Sequence, residues 1–328
     1  MSAPGLTLDL LVQPASRAVR IVARARVEAM TAAFDKFRAG EADALHDFRV
    51  SVRRLRSWIR AFRPELDDTL RGKTRRSLRQ LARLTNAPRD AEIGLTWIGG
   101  DGDFQSAAHG ARRFLLEAYT HELDESTASA LEKLQRRLPK LADRLTDEFS
   151  HYWRRLSIDS EPREDTMGAT LARVLDQHAA RMARAIKRVE APDEVDRAHR
   201  ARIAAKRLRY LLELVVTDQR TAPLVAHLTQ LQDALGEFHD THVLEERIVA
   251  EAVQSASDEA RERIRRTLAD EKPRRRDRER RLQTGLLDMA RHARRRGGVA
   301  FKAFEAIRDI DDLIAGVDAI SADLPRAG

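Results

Sequence analysis

Apolar residues recur along this chain at intervals of three and four. Leu45, Phe48, Val52, Leu55, Ile59 and Phe62 fall on one helical seam, and Ala198, Ala201, Ala205, Leu208, Leu212 and Val215 form another. No stretch shows the period of two that a half-buried strand needs, and no hairpin signal is present. The pattern predicts an all-α protein. Breaks are expected at Pro64, Pro88, the Gly99-Gly100-Asp101-Gly102 run, Pro139, Ser160-Glu161-Pro162, Pro192, Pro223 and Pro273.

The two seams belong to segments that resemble each other. Aligned without gaps, 45–62 and 198–215 pair His46 with His199, Arg49 with Arg202, and Arg53 with Lys206. Arg54, Leu55 and Arg56 then pair with Arg207, Leu208 and Arg209. A second echo follows in the same order, with Leu78, Leu81, Asp90 and Ile93 parallel to Leu228, Leu231, Asp240 and Val243. This predicts an internal duplication: a first helical bundle over 1–156, a polar linker over 157–166, a second bundle over 167–300 and a helical tail over 301–328.

Charge adds the chemistry. One step along from the first seam lie His46, Arg49, Arg53, Arg56, Arg60 and Arg63, a row with no acid in it. Like charges at this spacing destabilise a helix by about 0.2–0.5 kcal/mol per pair, so a row selected for stability alone would carry glutamates. The second helix repeats it with His199, Arg202, Lys206 and Arg209, closing on Glu213. From His46 to Arg60 a helix rises about 21 Å, which suits a polymeric anion better than one small phosphate ester. Further rows, Arg17, Arg20 and Arg24 on the first helix and Arg76, Arg79 and Arg83 on the helix following the motif helix, are candidates to join it. Of 60 basic residues only eight are lysine, leaving 52 arginines against 52 acids in all. The guanidinium fork matches phosphate oxygens and keeps its charge.

The pattern H-x-x-R-x-x-x-R-R-L-R at 46–56, repeated as H-x-x-R-x-x-x-K-R-L-R at 199–209, resembles the CHAD domain, the conserved-histidine α-helical domain. LQDALGEFHDTHVL at 231–244 is similar to that family's second signature, and LARLTNAPRDAEIG at 81–94 to a degenerate copy. The resemblance implies two pseudo-symmetric helical bundles around a basic central groove or channel, binding of inorganic polyphosphate, and association with polyphosphate granules. The binding positions it implies are His46, Arg49, Arg53, Arg54 and Arg56, with His199, Arg202, Lys206, Arg207 and Arg209. The E-x-E-x-K strand of the CYTH domain that often accompanies the family is absent, so a stand-alone type without hydrolase activity is expected.

Other classes find little support. There is no phosphate-binding loop, dinucleotide fingerprint, zincin motif or nucleophile elbow, so no catalytic residue is expected. The absence of cysteine removes thiolate chemistry and fits a reducing, cytoplasmic setting. No apolar run reaches membrane-spanning length, so no membrane partner is expected. His239, His242 and Glu246 have metal-ligand spacing, yet Arg89 stands where the first copy would place its histidine; no metal and no cofactor is expected. The competing reading is non-specific nucleic-acid backbone binding through 261–296, which holds 15 basic and 6 acidic residues. With aromatics at 5% of the chain, stacking platforms for bases are scarce.

Overall fold

In the computed structural model, residues 6–100, 109–150, 165–215, 219–254, 262, 265–267 and 275–326 are described. The regular elements among them are helices: α1 (Leu8–Leu11), α2 (Ala15–Arg38), α3 (Ala44–Ala61), α4 (Gly72–Arg83), α5 (Asn86–Gly99) and α6 (His109–Ser150). There follow α7 (Met167–Lys187), α8 (Val195–Leu212), α9 (Thr221–Gln254), α10 (Arg275–Ile307) and α11 (Asp311–Asp323). The protein is all-α, as its periodicity predicts.

Both predicted seams are buried in full, from Leu45 to Phe62 on α3 and from Ala198 to Val215 on α8. Each large side chain so buried contributes about 1.5–3 kcal/mol. On α3 the seam also carries Trp58, whose ring lies 4.2 Å from that of Phe62 and whose Nε1 donates to the Val19 carbonyl at 2.9 Å. Phe34 and Phe37 of α2 close on Phe48 at 5.6 and 6.5 Å between centroids. These contacts fix the rotation of α3 about its axis, and that rotation decides where its arginines point.

The main core runs without a break from the first half of the chain into the second, uniting α2 and α3 with α7, α8 and α11 and with parts of α6, α9 and α10. A smaller cluster joins α5 and the start of α6 to α9 and α10. Backbone bonds tie the same regions together: Leu6 N–H to Leu214, Met167 N–H to Gln13, and Ala15 N–H to Asp165. Thr166 caps α7 by accepting from Ala169 N–H, and its hydroxyl donates to the Pro325 carbonyl. Of the expected linker, residues 157–164 lie outside the described residues.

Two sequence expectations need correction. Pro139 does not end a helix; it sits on the exposed side of α6, a continuous helix of 42 residues. Leu134, Leu138, Leu141 and Leu145 bury the opposite side, and that packing outweighs the backbone bond that proline removes. The boundary drawn at 300 falls inside α10, where Ala300, Phe301 and Phe304 pack into the main core. Pro88 and Pro223 mark helix starts, lying in the first turns of α5 and α9, where a missing N–H costs little.

Candidate polyanion interface

α3 and α8 pack against each other and bring their basic rows together. At one end the groups form a mixed cluster. Arg53 of α3 and Arg209 of α8 approach the ring of Tyr210, at 6.0 and 5.3 Å from its centroid. Arg54 of α3 pairs with Glu213, just past the end of α8, at 3.1 Å, and Arg209 reaches the same carboxylate at 3.6 Å. Arg202 lies 3.9 Å from Asp240 of α9, over Gly236, where an added Cβ would sit 3.0 Å from the guanidinium. Arg49 donates to Thr85 Oγ1 at 3.0 Å and feels the charge of Asp90, the counterpart of Asp240. The two aspartates therefore act as electrostatic partners of the first arginine of each motif.

The strain in this cluster shows in its ionisation. Lys206 is pushed down to about 7, first by burial and then by Arg202 and Arg53, with Asp240 only partly compensating. Burial lowers Arg49 to about 10, aided by Arg53 and Arg89. At that value it remains charged at neutral pH, so the depression measures how costly the charge is rather than its loss. His199 lies against His239, the rings tilted at 46° with 4.6 Å between centroids; burial lowers both, His239 to about 4. They are neutral rings at neutral pH.

Further along the ridge the acids disappear. Arg56 is lowered by burial and then by Arg60, Arg79 and Arg83, with no carboxylate among its causes. Arg207 is lowered to about 10 by burial, Arg60, Arg181 and Arg56, and again no acid compensates. His178 of α7, lowered to about 4 chiefly by burial, faces Arg181, Arg207 and Arg60. Four helices, α3, α4, α7 and α8, thus converge on a cationic zone in which, among the described residues, no carboxylate offsets the charge on Arg56 or Arg207. Its charges repel one another, and negative charge brought among them would relieve that repulsion.

A family model, the CHAD domain, matches residues 21–249, more than half of the chain. The chain belongs to the CHAD domain family. Its fold is shared with the crystal structure of the CHAD domain from the plant Ricinus communis, with a TM-score of 0.63 at 20% identity. That match covers 100% of this chain and 98% of the other. PptA from Streptomyces chartreusis matches with a TM-score of 0.65 at 16% identity, over 90% of this chain and 99% of that one. No curated protein matches the sequence.

Within this CHAD fold the sequence-derived candidates separate. Arg49, Arg53, Arg54, Arg56, Arg60, Arg202, Lys206, Arg207 and Arg209 share the ridge, Arg54 and Arg209 being held by Glu213. His46 is exposed near the start of α3, whereas its counterpart His199 is half-buried against His239. Arg79 and Arg83 join the cationic zone through Arg56. Arg76 and Arg24 are exposed on α4 and α2, and Arg17 is half-buried on α2. Arg20 is not on the surface: it is 2% exposed, paired with Asp68 at 2.7 Å and bonded to Thr69 and the Ser16 carbonyl. Its neighbours along α2, Val19, Val22 and Ala23, are buried, so the row of Arg17, Arg20 and Arg24 straddles the edge of the core.

The sequence reading passed over several members. Arg26, 5% exposed, lies 5.5 Å from the centre of the Trp58 ring, and burial lowers it to about 10. Arg89 and Tyr210 also belong to the mixed cluster, and His178 and Arg181 to the far end of the ridge. The competing basic segment is placed differently. Arg294 and Arg296 pair with Glu245 and Glu237 of α9 at 2.7 and 2.6 Å, and Arg291 pairs with Asp288 at 2.6 Å. Residues 291–296 lie within α10; of 261–274 only 262 and 265–267 are described. Among the described residues no group of three or more metal-ligating side chains comes together, and no helix there is long and apolar enough to cross a membrane.

Proposed function

We propose that this CHAD protein is a non-catalytic binder of inorganic polyphosphate, acting in the cytoplasm and on polyphosphate granules. The two motif helices, products of an internal duplication, form the walls of one basic groove. The observation that carries this reading is the convergence of Arg56, Arg60, Arg79, Arg83, Arg181 and Arg207, from both halves of the chain, with no acid compensating Arg56 or Arg207. A repeating phosphate chain supplies the missing negative charge, with bidentate arginine contacts of about 1.5–3 kcal/mol each. Nothing in the groove offers a platform for reading bases beyond Tyr210, whose ring is already covered by Arg53 and Arg209. The paired state of Arg291, Arg294 and Arg296 weighs against the nucleic-acid reading.

The test compares melting temperatures with long-chain polyphosphate, tripolyphosphate, single-stranded DNA and duplex DNA. At a hundredfold excess over Kd the polyphosphate stabilises by about 2.7 kcal/mol, several degrees, and the effect fades as salt rises. Equal stabilisation by DNA overturns the reading. Replacing Arg53, Arg56, Arg60 and Arg207 with alanine abolishes binding while the helical circular-dichroism signal persists; retained binding moves the site elsewhere.

A further inference from the structure

Beside the ridge, a cleft of about 530 Å³ lies between α7 and α8, lined by Arg181, Arg184, Ala185, Arg188, Arg197 and Arg200. Its lining holds five guanidiniums and no carboxylate. Glu194 holds Arg197, which also donates to the Arg188 carbonyl, and Arg200 donates its Nε to the Asp196 carbonyl. Those contacts fix the α8 side of the cleft. Arg181 belongs to both regions, since its charge acts on His178 and Arg207 at the far end of the ridge. The cleft therefore continues the cationic zone rather than standing apart from it.

At the equivalent positions of α2 and α3 most of these arginines are missing. The buried positions of α2 and α7 fall in one register: Val22 and Ala23 with Val174 and Leu175, Val27 with Ala179, Met30 with Met182, and Phe34 with Ile186. In that register Arg181, Arg184 and Arg188 stand opposite Ala29, Ala32 and Lys36. On the motif helices, Arg197 and Arg200 stand opposite Ala44 and Asp47. A helix pair can thus be built in this fold without those arginines. Packing does not call for them, and crowding five like charges around one cleft opposes folding.

We infer that the α7–α8 cleft is a second anion-binding site that takes the continuation of a long polyphosphate chain where it leaves the ridge. The inference rests on the polyphosphate reading and adds to it a direction and a length preference. A short chain is satisfied by the ridge. A long one gains further arginine contacts at the α7–α8 end, where the equivalent positions of the first half hold Ala29, Ala32, Lys36, Ala44 and Asp47.

Arg184 and Arg188 are exposed and lie away from the ridge contacts, so the double variant Arg184→Ala with Arg188→Ala tests the cleft alone. The control is Arg137→Ala with Arg144→Ala, two exposed arginines of α6 whose removal changes the net charge equally. Kd is measured for the full chain with long-chain polyphosphate and with tripolyphosphate, after circular dichroism and melting confirm that each variant folds. The cleft variant weakens long-chain binding about tenfold, roughly two exposed charge-assisted contacts, and leaves tripolyphosphate binding unchanged. Its dependence on salt also becomes shallower. An unchanged Kd for the long chain, or an equal loss in the α6 control, overturns the cleft while the ridge reading stands. A wild-type chain that binds neither polymer overturns the ridge reading, and the cleft with it.

Discussion

Lys206 offers the sharpest single test of the electrostatics. Burial and the charges of Arg202 and Arg53 bring its folded-state value from 10.5 to about 7. Left unscreened, such a shift costs about 5 kcal/mol, at ~1.4 kcal/mol per pH unit. Lys206 is only partly buried, so water reduces this to about 2 kcal/mol. Because the folded value lies below the unfolded one, the unfolded chain holds more protons between about pH 7 and 10.5, and stability rises with pH through that window. Lys206→Met removes the buried charge without removing an assigned hydrogen bond. At pH 6 it melts several degrees above the wild type, and the gap narrows steadily from pH 7 upward. His199, lowered from 6.5, titrates below this window and does not imitate the effect. Thermal melts of both proteins from pH 6 to pH 9.5 check it. A gap that does not vary with pH refutes the claim that Lys206 is buried in a cationic cluster that Asp240 compensates only in part.

Other consequences follow from single contacts. A bound polyanion raises the Lys206 value again, so polyphosphate binds more tightly at pH 6.5 than at pH 8.5, and Lys206→Arg flattens that dependence in titrations at constant salt. Arg20→Ala breaks the partly buried contact with Asp68 and lowers stability by about 2 kcal/mol in denaturant unfolding, with no change in polyanion affinity. Glu213→Gln releases Arg54 and Arg209 and tightens polyphosphate binding several-fold, at a stability cost of about 1 kcal/mol. Gly168→Ala places a methyl 2.3 Å from the Pro325 carbonyl and destabilises by about 1–3 kcal/mol, read as a lower melting temperature.

Helix periodicity made the fold legible because each seam contacts one continuous core, and a 3.6-residue repeat survives wherever burial is one-sided. The two motif helices were legible for the same reason: the position one step from a seam borders the core and so faces the neighbouring helix. Legibility failed where tertiary packing overrode a local rule. Pro139 reads as a break but is carried by the leucines behind it, and Arg20 reads as surface but is buried, its guanidinium reaching out to the exposed Asp68. The α7 contribution was invisible because His178 and Arg181 carry no motif; only the approach of α7 to α8 brings them to Arg207. Glycine acted in the same silent way at Gly236, whose missing side chain leaves room for Arg202.

The hydrophobic core that passes without interruption from α2 and α3 to α7, α8 and α11 has a mechanical consequence. Neither half can be cut free and keep its shape, since each would expose the surface it now shares. The distance between the two arginine-bearing walls is consequently set by solid packing and not by a hinge. On the polyphosphate reading proposed above, the molecule is a rigid comb of fixed tooth spacing, onto which a flexible chain must thread itself, and the conformational adjustment falls on the polymer.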